Sequence, residues 1–463
     1  MDTGQTTCGD DNRLRAADEP SAAGGRRHPF AILFLVAIGI ELAVFVWLCL
    51  LDRDTFLSIA TAPDTGTYVK IAQGLIDTGT VPLDGFRTLG YPLFLYPCLL
   101  IGGPTFVYQV AVAFQLIFNL LLVWLFWKFL ERAAAPVAMP IRLIMTAIFF
   151  AAGMGLALWI LTDFQAGLLF GLFIYCLLFK RSWPWVIVGG LAIGMATLTR
   201  PTFTAFAVLI PVAALLARRF TSKVPWSQVA VYVLCSLLAC GINSVQTYRS
   251  RNVTGSDSFT VFHMLCVPFY NHIDGEETDL VAYKAKFQRE IAERAGRPYS
   301  ELTRAEKEPL ARQWMTEKIM AHPGRFVLGC TKSFLKYLFV PIERPADVAT
   351  ATLISEDQYY AVLRPILFGL CLPLWILSIF PPLGHPRRYM FYYLIVVVLV
   401  LYVLGWSSLV GGAGERYRFP VLAALFSLAA LNLQSVVRWA STRKTAAKGA
   451  PRLTSDSDGG YPG

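Results

Sequence analysis

The sequence predicts an all-α, polytopic membrane protein. It reads as a bundle of about ten transmembrane helices, with a short helix in the first extracytoplasmic loop and a larger α-rich loop segment on the same side. Three observations carry this. Of 463 residues, 55% are hydrophobic and only 16% are charged, where soluble domains carry about 25% charged residues. Apolar runs long enough to cross ~30 Å of hydrocarbon recur along the chain. The polar stretches between them alternate between basic and acid-bearing, the pattern of a chain oriented by its positive charges.

A net charge of +10 would suggest nucleic acid in a soluble chain. Here the basic residues sit mostly at the ends of apolar runs, where they set orientation, so no nucleic-acid partner is expected. The nine cysteines show no CxxC spacing and no neighbouring histidine cluster. Neither a zinc site nor a disulfide framework is read from them. His263, His272 and His322 likewise lack metal-ligand spacing.

Residues 1–29 are polar and without apolar periodicity, and read as a disordered cytoplasmic tail. Arg26, Arg27 and His28 then precede a first span at 30–51, which places the N-terminus in the cytoplasm and the loop at 52–97 outside. Further spans are predicted at 105–129, 141–161, 164–179, 185–198, 202–217 and 224–246, completing an N-terminal transmembrane module over 30–247. Lys128 to Arg132, Lys180-Arg181 and Arg218-Arg219-Lys223 then fall on the side of the N-terminus, and Asp163 and Arg200 on the side of Asp64. The segment 93–101 is too short to cross and contains Pro97, so it is expected to pack at the interface or re-enter.

The one long polar stretch, 248–359, is expected outside. Its first half suggests short strand-like or irregular structure. A helix follows over 279–295, with Leu280, Tyr283, Phe287 and Ile291 on one face and Gly296 as its stop. Thr303 and Glu306 have capping-box form and open a second helix that ends at His322-Pro323-Gly324. Pro309 fits poorly inside it and points to a later first turn. Residues 325–340 are apolar but broken by Lys332 and Lys336, and are open to two readings. A span would put Arg387-Arg388 outside and Glu415 inside. An interfacial helix, the preferred reading, keeps Arg387-Arg388 and the basic tail inside. Spans at 362–380, 389–409 and 419–436 form the C-terminal unit (360–437), with Arg387-Arg388 inside, and 438–463 reads as a disordered cytoplasmic tail.

No internal repeat is visible. The charges that orientation does not require all fall on the outer side: Asp64, Asp163, Arg200 and the run Glu415-Arg416-Tyr417-Arg418. A charge in the hydrocarbon costs on the order of 2.5–3.5 kcal/mol on insertion scales, so such groups sit at span ends or face a cavity. Each also has a plain structural reading. Asp163 can cap its helix, Arg200 can end one, and Arg416 and Arg418 can snorkel to headgroups. Asn252-Val253-Thr254 has the form of a glycosylation sequon, which arises readily by chance.

In order, the motifs are Asp64, Tyr68, Ala72, Arg87 and Tyr91-Pro92 in the first loop, then Thr162-Asp163 and Leu198 to Pro201. Arg251-Asn252 with Gly255 and Glu415 to Pro420 complete the series. This series resembles the GT-C glycosyltransferases, integral-membrane enzymes that use polyprenyl-phosphate sugars. It is most similar to the bacterial relatives of protein O-mannosyltransferase and the aminoarabinose transferase of lipid A, glycosyltransferase family 39-like, and covers 30–436. The first loop departs from the pattern in having a single acid, Asp64, in place of the usual acid pair, with Thr65 after it. That leaves open whether one carboxylate carries the chemistry.

The resemblance implies transfer of a hexosyl or pentosyl group from a polyprenyl-phosphate donor to a glycan, lipid or protein acceptor outside the plasma membrane. Asp64 is the expected general base, with Asp163 orienting the acceptor or sharing that role. Arg416, Arg418, Arg200 and Arg87 are expected to hold the donor phosphate, in that order, because a guanidinium is always charged and binds phosphate through two bonds. Tyr68, Glu415 and Tyr417 are further candidates. No metal site or cofactor is assigned, though the two acids leave room for a divalent cation between them. The competing reading from another class is a transporter or flippase for a lipid-linked saccharide, against which the absence of repeats counts.

Overall fold

The computed structural model describes residues 28–61, 64–80, 88–132, 137–160, 162–180, 182–220, 225–252, 280–339, 361–362, 364–379 and 419–449. Among them every regular element is helical and none is a strand. The expected span at 389–409, the loop segment 253–279 and the tail segments 1–27 and 450–463 lie outside the described residues.

Helix α1 (His28–Leu50) is apolar on all sides except for Glu41. Ile32, Leu35, Val36, Leu42 and Val46 are exposed along it, the pattern of a peripheral helix facing lipid. Two short helices follow, where one was expected. α2 (Arg53–Ala60) starts at Asp52, whose Oδ1 accepts the Thr55 N–H at 2.9 Å. α3 (Thr65–Thr78) buries Tyr68, Ile71 and Ala72 on one face and ends at Gly79, where φ of 64° suits glycine.

α4 (Gly90–Arg132) is two helices joined at a break. Forty-three residues would reach roughly 64 Å at 1.5 Å each, about twice the hydrocarbon thickness. Pro104 disfavours helical geometry in the residue before it, and Gly103 answers with φ 59° and ψ −173°. The part before the break is too short to span, as expected, but it is a regular helix with Tyr91, Leu95, Cys98 and Leu99 buried at helical spacing. Gly90-Tyr91-Pro92 is therefore its first turn and not a free turn leading into it.

The bundle continues with α5 (Met139–Ala157), α6 (Thr162–Phe179), α7 (Trp183–Thr199), α8 (Phe206–Phe220) and α9 (Trp226–Arg249). Of the described helices, α1, α4, α5, α6 and α9 are long and apolar enough to cross a membrane, and α7 is a shorter apolar helix. α7 packs closely on α9 because Gly189, Gly190 and Gly194 have no side chains. A Cβ at any of them would press on Tyr232, Val231 or Cys235. The core holds a stacked pair, Phe126 and Phe149, with centroids 4.5 Å apart, and Phe426 sits edge-on to both.

In the long polar stretch, α10 (Leu280–Ala295) and α11 (Arg304–Ala321) form a hairpin around their own core of Tyr283, Phe287, Ile291, Leu302, Ala311 and Trp314. Gly296 closes α10 at φ 67°, as predicted. The Thr303–Glu306 capping box is formed, so α11 begins at Arg304 and Pro309 lies inside it, against expectation. Local capping evidently outweighs the one helix bond that a proline in the second turn removes. α12 (Pro323–Phe339) follows directly, and its 17 described residues extend ~25 Å.

α13 (Arg364–Ile379) and α14 (Phe419–Gly449) pack together, with Asn432 Nδ2 donating to the Leu377 carbonyl. The sequence reading ends the last span at Val436 and begins a disordered tail at Arg438. The helix instead runs through Gly449. Ala, Lys and Arg are good helix formers, and extending an existing helix avoids the cost of nucleation.

Candidate active site at the Asp64 end of the bundle

The loop that carries Asp64 is tied to the bundle by several contacts between residues far apart in sequence. The Ile160 N–H donates to the Ala60 carbonyl at 2.9 Å, and the buried Thr65 hydroxyl donates to the Ile160 carbonyl at the same distance. α2 and α3 are thereby fastened to the connection between α5 and α6. Further on, the Thr88 hydroxyl donates to the Thr199 carbonyl at 2.7 Å, and Gly90 lies so close to Thr199 that a Cβ there would strike its backbone nitrogen and Oγ1. The buried Tyr91 hydroxyl donates to Gln115 Oε1 at 2.7 Å. Gln115 Nε2 in turn donates to the carbonyls of Ala157 (2.7 Å) and Trp159 (2.9 Å). Tyr68 meets Tyr91 edge-on at 5.2 Å.

These ties put three of the predicted residues on one end of the molecule. Asp64 takes the N-cap position of α3, half-buried, and its carboxylate makes no capping bond. It therefore stands at the positive end of the helix. Asp163 lies in the first turn of α6 and Arg200 caps the end of α7. They form an ion pair, Arg200 Nη2 to Asp163 Oδ1 at 2.6 Å, with Asp163 3% and Arg200 9% exposed. Arg200 thus ends its helix, as the plain reading has it, and also pairs with Asp163, which lies within the first turn of α6. Tyr68 supports the loop by packing. Arg87, Glu415, Arg416, Tyr417 and Arg418 lie outside the described residues, and α14 begins at Phe419 with Pro420 in its first turn.

Sequence reasoning missed the surface beside this pair. α7 and α9 run parallel, with Gly190 beside Val231, Gly194 beside Cys235, and the Asn243 amide donating to the Thr197 carbonyl at 3.0 Å. One turn further along each helix come Arg200 and Gln246. Here α9 presents an apolar groove of about 550 Å³, lined by Leu234, Leu237, Leu238, Ile242 and Val245, with Leu89 across it and Gln246 and Arg249 at its end. The signal was present as an apolar stripe ending in a cation, but span-finding treats α9 as apolar throughout.

Of the two acids expected to leave room for a divalent cation between them, Asp163 meets Arg200 through Oδ1. Among the described residues no group of three or more His, Cys, Asp or Glu could hold a metal ion.

No family model matches the chain, and no curated protein matches it. Solved structures do. The oligosaccharyltransferase AglB of Archaeoglobus fulgidus, in complex with an inhibitory peptide and a dolichol-phosphate, aligns at 11% identity with a TM-score of 0.47, over 90% of this chain and 51% of its own. ArnT of Cupriavidus metallidurans in the apo state aligns at 14% identity with a TM-score of 0.35, over 90% of this chain and 81% of its own. Both neighbours are GT-C superfamily membrane glycosyltransferases. The chain spans about half the length of the AglB structure. At scores below 0.5 the chemistry of this chain has to be argued from its own residues.

Proposed function

We propose that this protein is a membrane glycosyltransferase that moves a sugar from a polyprenyl-phosphate donor to an acceptor on the Asp64 side. The observation that carries the reading is the meeting, at one end of the bundle, of a carboxylate at a helix N-terminus, a buried Asp–Arg pair and the cationic mouth of an apolar groove. A polyprenyl phosphate has complementary chemistry: a long apolar chain ending in an anion.

In this reading Asp64 takes the proton from the acceptor hydroxyl or amide as that atom bonds to the anomeric carbon. The bond from the anomeric carbon to the phosphate oxygen breaks, and its electron pair leaves with the phosphate. Arg200 faces the growing phosphate charge while Asp163 fixes its guanidinium. Arg249 meets the phosphate from the groove side. Arg416, Arg418 and Arg87 keep the donor-binding role that the sequence resemblance implies, and Glu415 and Tyr417 remain candidates beside them.

Lys128, Arg142 and Lys180 sit at the helix ends opposite Asp163 and Arg200, a charge placement that supports reading the site as extracytoplasmic and the termini as cytoplasmic. Cysteine labelling at Glu277 and Lys444 is expected to reach them from opposite faces of the membrane. The reaction is tested by reconstituting the protein with labelled polyprenyl-phosphate hexoses and pentoses and following release of sugar-free polyprenyl phosphate. Turnover that Asp64→Asn abolishes supports the reading. Passage of the intact donor across the bilayer without loss of its sugar would make the protein a transporter instead.

A further inference from the structure

α1 carries one ionisable side chain in its interior. Glu41 lies near the middle of the helix, 3% exposed, on a segment otherwise suited to lipid. Such a group is costly in hydrocarbon and normally has a partner. Its partner here is neutral: Asn119 on α4, fully buried, donates from Nδ2 to Glu41 Oε1 at 2.8 Å. Two oxygens of this pair, Glu41 Oε2 and Asn119 Oδ1, are buried and have no hydrogen-bond partner among the described residues. Gly153 on α5 makes room for the amide, since a Cβ there would collide with Asn119 Oδ1. The charged groups of the two neighbouring helices stand elsewhere. Arg142 of α5 sits over the Trp127 ring, which stacks on Phe30, three turns of α1 from Glu41. Lys128 and Glu131 of α4 pair with each other.

Both orphaned oxygens are acceptors, so what the pair lacks is one hydrogen. We propose that Glu41 is an intramembrane proton-binding site, holding a proton on Oε2 and donating it to Asn119 Oδ1. The acid and the amide then exchange two hydrogen bonds and fasten α1, and so the loop that follows it, to α4 and α5. No other bond forms or breaks, and the proton comes from water as the segment inserts. The pair leaves no net charge in the membrane and no buried polar atom of the two groups unsatisfied.

Infrared difference spectroscopy tests the proton directly. The full protein in vesicles at neutral pH is expected to show the carbonyl stretch of a protonated carboxylic acid that Glu41→Gln removes. A carboxylate band lost in its place would overturn the proposal. Stability gives a second reading, independent of whether the protein transfers sugar. Glutamine can make both bonds of the protonated acid, so Glu41→Gln is expected to melt within a degree or two of the wild type, while Asn119→Ala and Gly153→Ala melt clearly lower. A loss in Glu41→Gln as large as that in Asn119→Ala would show that the group is held as a carboxylate, and would overturn the assignment.

Discussion

Asp163 and Arg200 form an ion pair at 2.6 Å that closes the start of α6 onto the end of α7. Both side chains are buried, so neither charge has water as a substitute partner. Removing one strands the other. Asp163→Ala and Arg200→Ala should each cost about 3–5 kcal/mol, and the double variant Asp163→Ala with Arg200→Ala less than their sum. Thermal unfolding in detergent checks this, and strictly additive losses would show that the two act separately.

Asp64 is expected to matter for turnover and not for the fold. It is half-buried and its carboxylate does not cap α3. Asp64→Asn should change stability by no more than ~0.5 kcal/mol and lower transfer by roughly 10²–10⁴-fold. Activity near that of the wild type would assign the base to another residue.

Gly90 touches Thr199, the neighbour of Arg200. Gly90→Ala should cost about 1–3 kcal/mol by overpacking and should lower turnover, because α4 and the loop before it would shift away from α7. Gly66, which has open space around it, is the control: Gly66→Ala should leave melting temperature almost unchanged.

Arg249 ends the groove on α9. If it meets the donor phosphate, Arg249→Gln should raise KM for the polyprenyl-phosphate sugar about tenfold or more, the loss of a charge-assisted bond of ~1.5–3 kcal/mol. The expectation for Arg416 and Arg418 runs in parallel: replacement by Lys keeps the charge, loses the paired donors and raises KM, whereas headgroup snorkelling predicts no change.

The extramembrane hairpin offers a pH test. Bonds from the Thr303 backbone and hydroxyl, and the nearby Arg297, hold the Glu306 carboxyl below its usual value. A lowered folded-state pKa means that the stabilisation is complete above the unfolded value of about 4.3 and is lost as pH falls through the folded value. Hydrogen exchange across α11 should therefore separate wild type from Glu306→Gln at neutral pH, with the difference fading in acid. A gap that persists unchanged at low pH would rule out the ionised capping box as its source.

The sequence by itself determined the features that depend on near neighbours. Apolar runs located the helices, and Thr303, Glu306 and Gly296 located a helix start and a stop, because caps and periodicity act over three or four residues. It also located Asp64, Asp163 and Arg200 as suspicious charges, since a charge at the end of an apolar run is visible in one dimension. Only the tertiary structure decided what those charges meet. Asp163 faces Arg200, Gly90 abuts Thr199 and Glu41 finds Asn119 because of how each helix is rotated and how deep it sits. In a segment apolar on every side, as α1 is apart from Glu41, periodicity carries no mark of which face turns inward. Those choices are set by packing between distant helices, glycine against side chain and amide against acid, and a linear reading of the chain does not contain them.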